Sequence, residues 1–259
     1  VDYDDGAGQL CAFTAPDVYV DPSIPQECLD EGCGFSNNPF KTIARTLEMI
    51  NPTENNPIII HLAQGVYAPS TNGEIFPIQM MSYVNLEGES EEQTILDAEQ
   101  SNKVLSIISC NSVLISKLKI MGGYEYDMYN QGGGISIFFS NPIINNVIVS
   151  ENLAHNGGGI GIYFSNPIFY NVTIRNNEAI TQGTGGGIWM RYGNLEMTHV
   201  IIENNISSGR AGGIYHLGND AFSKMFHVDI IGNESAVDAG GIQINGIDLT
   251  LVNSTIIEN

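Results

Sequence analysis

The sequence GGGISIFFSNPIINNV occupies residues 132–147, and it returns as GGGIGIYFSNPIFYNV at residues 157–172. Later copies keep two markers of this unit, an isoleucine that follows paired glycines and an asparagine that ends the unit. The isoleucines are Ile135, Ile160, Ile188, Ile214 and Ile242, and the asparagines are Asn152, Asn177, Asn205, Asn233 and Asn259. Because both markers recur every 25 to 28 residues, the sequence predicts a solenoid of stacked repeats.

Each unit contains two short runs of β-branched and apolar residues, such as Ile135–Phe138 and Ile144–Val149. Runs this short cannot bury a core alone, but stacked coils pair them into parallel sheets with strands about 4.8 Å apart. The units also lack the leucine pattern of leucine-rich repeats. We therefore predict an all-β fold, a parallel β-helix solenoid of about seven coils.

Three regions are predicted along the chain. Residues 1–38 form an acidic, Cys-containing leader with many loops and with no Lys or Arg. Residues 39–100 are predicted to hold a capping helix and the first irregular coils, with Asn38 as the helix N-cap, Pro39 at its first position and a buried strand at Ile58–Leu62. Residues 101–259 hold the regular repeats, which we expect to continue beyond residue 259.

The chain carries 29 acidic and 9 basic residues, for a formal net charge of −20 at pH 7. This charge argues against nucleic acid or anionic lipid as a partner. No apolar run approaches the roughly 18 residues that a membrane-spanning helix needs. The acidic balance fits extracellular solubility or divalent cation binding, so Ca²⁺ is a candidate cofactor, and Asp2-Tyr-Asp-Asp-Gly6 has part of a calcium-loop pattern.

Three of the four cysteines, Cys11, Cys28 and Cys33, lie in the leader, and their spacing is not that of a zinc site. We predict a disulfide among these three, with the pairing left open. A disulfide indicates an oxidising compartment, so the expected location is extracellular or the bacterial cell surface. Cys110 follows an apolar alternation and is predicted to be a buried thiol.

Side-chain alternation along each first strand predicts which residues face the core. If the repeated isoleucines face inward, the residues two positions later do so as well; these are Ile137, Ile162, Met190, His216 and Ile244. The repeated asparagines are predicted to take left-handed turn conformations and to form side-chain ladders. His199 and His227 share a column with Asn146, Asn171 and Asn253. Since the sequence indicates no further metal ligands there, we predict a polar turn column.

The outward positions of the first strands are predicted to form a functional surface. One column holds Ser136, Gly161, Trp189, Tyr215 and Gln243, and its neighbour holds Phe138, Tyr163, Arg191, Leu217 and Asn245. Aromatic rings beside a guanidinium can stack sugar rings and hold a carboxylate. The predicted glycan-binding or partner-binding residues are Phe138, Tyr163, Trp189, Arg191 and Tyr215. The alternative is that a loop or a neighbouring subunit covers this patch.

The Gly-Gly-Gly-Ile, Ser-Asn-Pro, Asn-Val and terminal Asn elements resemble right-handed parallel β-helix proteins of the pectin-lyase-like superfamily. Within it, the repeats resemble those of polymorphic outer-membrane and adhesin-type surface proteins. The segments Asn38-Pro-Phe-Lys-Thr-Ile43 and Gly73-Glu-Ile-Phe-Pro77 resemble a leader found before many secreted bacterial β-helices. The resemblance covers most of residues 35–259 and implies the right-handed fold, but this scaffold carries unrelated activities.

Two classes of function remain. The first is a non-catalytic secreted or cell-surface protein: an adhesin, a glycan-binding protein or a structural component, whose partner is extracellular polysaccharide, surface glycan or a laterally packed copy. The second, implied by the superfamily, is a calcium-dependent polysaccharide lyase or a glycoside hydrolase acting on acidic polysaccharide. The columns beside Trp189 carry no paired Asp or Glu, and no lyase motif is present. We therefore predict no catalytic residue and favour the first class.

Overall fold

The computed structural model describes residues 15–28 and 32–259, and it shows a parallel β-helix of about seven turns. One helix, α1 (Ile43–Met49), precedes most of the coils. The strands up to residue 125 are β1 (Asp17–Val20), β2 (Ile58–Leu62), β3 (Gly65–Tyr67), β4 (Ile78–Gln79), β5 (Val84–Gly88), β6 (Thr94–Asp97), β7 (Leu105–Ile108), β8 (Leu114–Met121) and β9 (Tyr124–Glu125). Those of the regular repeats are β10 (Ile135–Phe138), β11 (Ile143–Ser150), β12 (Leu153–Ala154), β13 (Ile160–Tyr163), β14 (Ile168–Arg175), β15 (Glu178–Ala179), β16 (Ile188–Arg191), β17 (Leu195–Glu203), β18 (Ile206–Ser207), β19 (Ile214–Ile231), β20 (Glu234–Ser235), β21 (Ile242–Val252) and β22 (Thr255–Ile257). The predicted right-handed parallel β-helix with one short helix is confirmed.

Parallel pairing joins each strand to the equivalent strand one coil later, so the sequence columns are also spatial columns. Ile135 of β10 pairs with Leu105 of β7 on one side and with Ile160 of β13 on the other. The same column continues through Ile188, Ile214 and Ile242. Five two-residue strands form a separate sheet in the order β20-β18-β15-β12-β9. The register that the repeat predicts is therefore confirmed across the regular coils.

The predicted inward positions form an aliphatic stack inside the coils. The buried members are Ile135, Ile137, Ile160, Ile162, Ile188, Met190, Ile214 and His216. Ile242 and Ile244 are only partly buried, because β21 pairs with β19 alone within the described residues. Burial of one such isoleucine side chain stabilises the fold by roughly 1.5–3 kcal/mol. The stack therefore holds successive coils in one register.

The repeated asparagines form a hydrogen-bonded ladder inside the coils. Nδ2 of Asn152 donates to Oδ1 of Asn177 at 2.9 Å, and equivalent bonds continue through Asn205 and Asn233 to Asn259. The ladder is confirmed, but the left-handed conformation predicted for these residues is wrong. The left-handed residue is the one before each asparagine, for example Glu151 at φ 58° and Asn204 at φ 53°. Because that residue makes the turn, the next asparagine can direct its amide along the axis.

The glycine runs allow the backbones of neighbouring coils to approach closely. The first glycine of each triple run has a left-handed backbone, with φ 85° at Gly132 and φ 63° at Gly157. A Cβ atom on Gly134 would lie 2.7 Å from the carbonyl oxygen of Gly159 in the next coil. Any side chain at this position would therefore separate the two coils.

Helix α1 begins later than predicted. Its N-cap is Thr42, whose hydroxyl accepts a hydrogen bond from the first turn at 3.3 Å. Asn38 forms an antiparallel bridge with Phe35, and Pro39 follows it before the helix begins, so the prediction that they start the helix is wrong. The next residue, Phe40, forms a parallel bridge with Val20 and is buried in the core. This pairing uses Phe40 in the sheet, so the helix can begin only after it.

The two segments that carry the leader resemblance contact each other. The buried carboxylate of Glu74 accepts hydrogen bonds from the backbone nitrogens of Ile43 at 2.8 Å and Ala44 at 2.9 Å. The Asn72 side chain donates to the carbonyl oxygen of Lys41 at 3.0 Å. Burial raises the pKa of Glu74, and the hydrogen bonds from the helix act in the opposite direction. These contacts fix α1 against the first coils.

The cysteine predictions are confirmed where the structure describes them. Cys28 and Cys33 form a disulfide with a Cα–Cα distance of 5.8 Å. Cys110 is a buried free thiol. Cys11 and the segment Asp2–Gly6 lie outside the described residues. Among the helices that the structure describes, none is long and apolar enough to cross a membrane.

Candidate functional site

Consecutive coils place the predicted aromatic residues side by side on one outer face. Phe138 pairs with Tyr163 in the sheet register, and Tyr163 pairs with Arg191. The ring centroids of Phe138 and Tyr163 lie 5.6 Å apart. Those of Tyr163 and Trp189 lie 6.5 Å apart with nearly parallel planes. Four of the five predicted site residues therefore meet.

The chain between β9 and β10 folds against this face and makes one wall of a groove. The groove has a volume of about 410 Å³. We call it the aromatic groove; its lining residues are Met128, Tyr129, Gln131, Phe138, Asn156, Tyr163, Trp189 and Arg191. A Cβ atom at Gly161 would lie 2.5 Å from the Cβ atom of Gln131, so the glycine allows the wall to approach. The predicted surface is thus a groove that part of the same chain covers.

A nearly buried ion pair holds the covering segment in place. Nζ of Lys103 lies 2.9 Å from Oε2 of Glu125, and only 10% and 13% of these side chains are exposed. His155 also donates its backbone N–H to the carbonyl oxygen of Glu125 at 2.8 Å. Opposite charges in such a protected position are screened weakly by solvent. Glu125, which directly precedes the segment, is therefore attached to the coil before it and to the coil after it.

Coverage by this segment changes the role that Trp189 can play. Trp189 is only 8% exposed, whereas Phe138 and Tyr163 are half-buried. A ligand in the groove can therefore contact the faces of the two half-buried rings more readily than that of the indole. The indole acts mainly as the floor of the groove.

A second aromatic column was missed by the sequence analysis. Phe139 and Phe164 stack with centroids 5.6 Å apart and an interplanar angle of 8°, and Phe164 lies 4.6 Å from Tyr192. All three have left-handed backbones, with φ of 49°, 47° and 61°. A left-handed residue breaks strand alternation, so side chains that parity would place inward point outward. The repeated pairs Phe138-Phe139 and Tyr163-Phe164 were the available signal.

Arg191 is the cation of the aromatic groove. Its Nη2 atom lies 3.2 Å from the Tyr192 hydroxyl, and its guanidinium carbon lies 5.0 Å from the centroid of the same ring. Arg191 forms no ion pair with any described residue, although seven of the nine Lys and Arg side chains do. The exposed guanidinium thus keeps donors available for an anionic group.

Tyr215 is the predicted site residue that the groove leaves out. It pairs with Trp189 in the register between β16 and β19, so it lies one coil further along the same column. It is half-buried and does not line the aromatic groove. A longer ligand that follows the coil axis would reach it.

Four acidic side chains lie together in a hollow away from this groove. A separate hollow of about 470 Å³ is lined by polar residues that include Asp97, Glu99, Glu151 and Glu178. No carboxylate lines the aromatic groove within the part of the chain that the structure describes. In those residues there is also no group of three or more His, Cys, Asp or Glu side chains arranged for a metal ion. Calcium binding remains a prediction.

His216 takes the inward position that the alternation predicts. It is buried, with Nδ1 3.0 Å from the Ser223 hydroxyl and Nε2 3.2 Å from the carbonyl oxygen of Gly193. Burial lowers the pKa of His216 to about 4, and the contact with Gly193 acts in the opposite direction. The imidazole is therefore a neutral core residue at pH 7, and it is not available to a ligand.

Comparison with known proteins gives first the fold class and then the family of this chain. The chain matches the solved structure of pectin methylesterase from carrot with a TM-score of 0.52 and 7% sequence identity, over 95% of this chain and 85% of that chain. At this identity the match shows the fold alone, a parallel β-helix. Residues 29–259 match a family described as "Protein of unknown function (DUF1565)", and the chain belongs to that family. A search of curated proteins found no match.

Proposed function

We propose that this chain is a secreted or cell-surface β-helix protein that binds glycan, without catalysis, in the aromatic groove. The β-helix fold fits a surface or carbohydrate-related protein. The observation that carries the proposal is the position of Arg191, a cation without an ion pair among the described residues, beside the rings of Tyr163 and Trp189. The favoured ligand is a glycan that contains a carboxylated sugar.

The chemistry of the groove suits such a ligand. Sugar rings present apolar C–H faces that pack on aromatic side chains, and Phe138 and Tyr163 offer partly exposed rings. The guanidinium can donate two parallel hydrogen bonds to one carboxylate. Asn156 and Gln131 line the same groove and can bond to hydroxyl groups. An anionic ligand would be repelled by most of this acidic surface, which favours binding at the groove.

Binding can be tested with oligogalacturonate and with the matching neutral galactose oligomers, using Trp189 as the chain's one tryptophan fluorophore. The wild type is expected to bind the acidic oligomers more tightly. Arg191→Gln should weaken that binding about tenfold, as expected for loss of a charge-assisted hydrogen bond worth about 1.5 kcal/mol. Equal affinity of wild type and variant for the acidic oligomers would overturn the assignment of Arg191.

Arg175→Gln supplies the matched control, because it removes the same charge from β14, where Arg175 lies 4.0 Å from Glu203. It should leave binding unchanged. The same samples should be incubated with pectate and alginate in the presence of Ca²⁺ while the absorbance of unsaturated products is followed, and reducing ends should be counted. Sustained turnover in either assay would replace the non-catalytic proposal with the polysaccharide lyase or hydrolase alternative.

A further inference from the structure

A pair of histidines on another side of the coils has free ring nitrogens. Thr198 pairs with Phe226 and Val200 with Val228, so His199 and His227 lie opposite each other between these pairs. Their ring centroids are 5.0 Å apart and the planes differ by 15°. Neither ring forms a hydrogen bond or an ion pair with any described residue, and both residues are exposed.

The backbone explains why histidine is tolerated here but not why two occur together. Both residues have φ of 54°, and the same column has φ of 50–52° at Asn146, Asn171 and Asn253. All five residues of the predicted polar turn column therefore have left-handed backbones. Asn and His are among the residues that accept this left-handed conformation. Asparagine takes the same left-handed conformation in three other coils, so the backbone does not require histidine at this position. The two adjacent imidazoles therefore offer metal-binding nitrogens that the turn itself does not need.

An unpaired carboxylate lies beside the two rings. His199, His227, Asp229, Ile201 and Asn253 line a surface hollow of about 320 Å³. Asp229 is half-buried, and its side chain has no hydrogen bond or ion pair with the residues that the structure describes. The hollow thus combines two imidazoles, one carboxylate and one amide.

We propose that His199 and His227 bind one divalent transition-metal ion, such as Zn²⁺, as a two-histidine site, with Asp229 in the same hollow as a counter-charge. Neutral imidazole is the commonest protein ligand for such ions, whereas Ca²⁺ takes oxygen ligands. Zinc binds imidazole nitrogen at about 2.0–2.1 Å. Both residues are exposed, so side-chain rotation can turn a ring nitrogen of each toward the hollow that they line. The remaining coordination positions are filled by water.

This site is independent of the aromatic groove, and its probe is Zn²⁺ alone. Competition against a chromophoric zinc indicator should give one equivalent bound per chain. His199→Asn and His227→Asn should each weaken binding about tenfold or more, and the double variant should be no better than either. Asparagine already occupies this column in neighbouring coils, so these variants should fold, which circular dichroism can verify.

His61→Asn is the matched control, because Nε2 of His61 already lies 2.8 Å from Oδ1 of Asp17 and its ring stacks on Tyr19. It should bind Zn²⁺ like the wild type. The ring proton resonances of His199 and His227 should shift together as Zn²⁺ is added. Wild-type affinity in both His→Asn variants, or no Zn²⁺ bound by the wild type, would overturn the proposal.

Discussion

The Oε2 atom of Glu74 lies 2.8 Å from the backbone nitrogen of Ile43, the first residue of helix α1. The other carboxylate oxygen lies 2.9 Å from the nitrogen of Ala44. Helix N-termini leave backbone donors without partners, and a negative group at that end is favoured by the helix dipole. One side chain from the following coil thus satisfies two donors of a seven-residue helix that has no acidic residue in its own first turn.

Glu74→Ala should lower the free energy of unfolding by about 2 kcal/mol, because it leaves two buried donors unpaired. Glu74→Gln keeps one acceptor oxygen and should lose less. Urea unfolding followed by circular dichroism measures both effects. Glu48→Ala is the control, since that side chain is 68% exposed and, among the described residues, pairs only with Arg45 on the helix surface. A loss in Glu48→Ala equal to that in Glu74→Ala would contradict the capping role.

The repeat determines most of the fold because its two markers fix register directly. Ile135 and Ile160 were expected to stack, and they pair in the sheet. Prediction failed where one residue changes the direction of the chain. Phe139 leaves the alternation because its φ is 49°, and no single-residue propensity of phenylalanine indicates that. Asn38 is a residue type that often caps helices, but the bridge between Phe40 and Val20 keeps the chain extended, so the N-cap is Thr42.

The sequence predicted one face of the aromatic groove but not its wall. Repeat spacing placed Phe138, Tyr163 and Arg191 on one face. The wall formed by Met128 and Gln131 belongs to a segment without repeat character, so no column gave its position. Its docking depends on contacts between residues far apart in the repeat pattern, such as the Lys103 ion pair. Such contacts become visible only when the coils are assembled.

The asparagine ladder should depend on amide donors and not merely on polarity. Asn205 is buried, and its Nδ2 donates to Oδ1 of Asn233 and to the carbonyl oxygen of Ile174, each at 2.9 Å. Asn205→Asp keeps the shape but sets a carboxylate against these two acceptors. We expect a loss of about 3 kcal/mol or more in the free energy of unfolding at pH 7.

Asn245→Asp makes the same chemical change at an exposed position of β21, where the side chain has no hydrogen bond to a described residue. It should change the free energy of unfolding by less than about 0.5 kcal/mol. Chemical denaturation of the two variants side by side gives the comparison. Similar losses in both would show that added charge, and not the ladder, is responsible.

Stability should fall in mild acid because of His216. Its pKa is about 4 in the folded chain, below the ordinary value of 6.5, so between these values the unfolded chain binds more protons. Its contribution is therefore complete above about pH 6.5 and is lost as the pH falls toward 4, by on the order of 3 kcal/mol. Below pH 4 both states are protonated and this contribution stays constant.

His216→Met should remove that part of the pH dependence, because methionine already occupies the paired position at Met190. Urea midpoints measured from pH 4 to pH 7 provide the slope. The exposed His199 serves as the reference: His199→Asn should retain the wild-type slope. An unchanged slope in His216→Met would assign the acid sensitivity to other groups.

The groove wall should open when the ion pair between Lys103 and Glu125 is broken. Lys103→Met leaves the nearly buried carboxylate of Glu125 without its partner, which costs about 3 kcal/mol or more when a buried pair loses one member. The rearrangement with the lowest free-energy cost is release of the covering segment into solvent. This release exposes Trp189. Acrylamide quenching of the single tryptophan should therefore increase while the circular dichroism of the coils is retained.

Lys119→Met is the control, since its partner Glu151 is already 55% exposed and lies 3.6 Å away. The double variant Lys103→Met with Glu125→Leu should restore much of the protection, because neither charge then remains buried; quenching that stays high in the double variant would mean that the pair does not hold the wall.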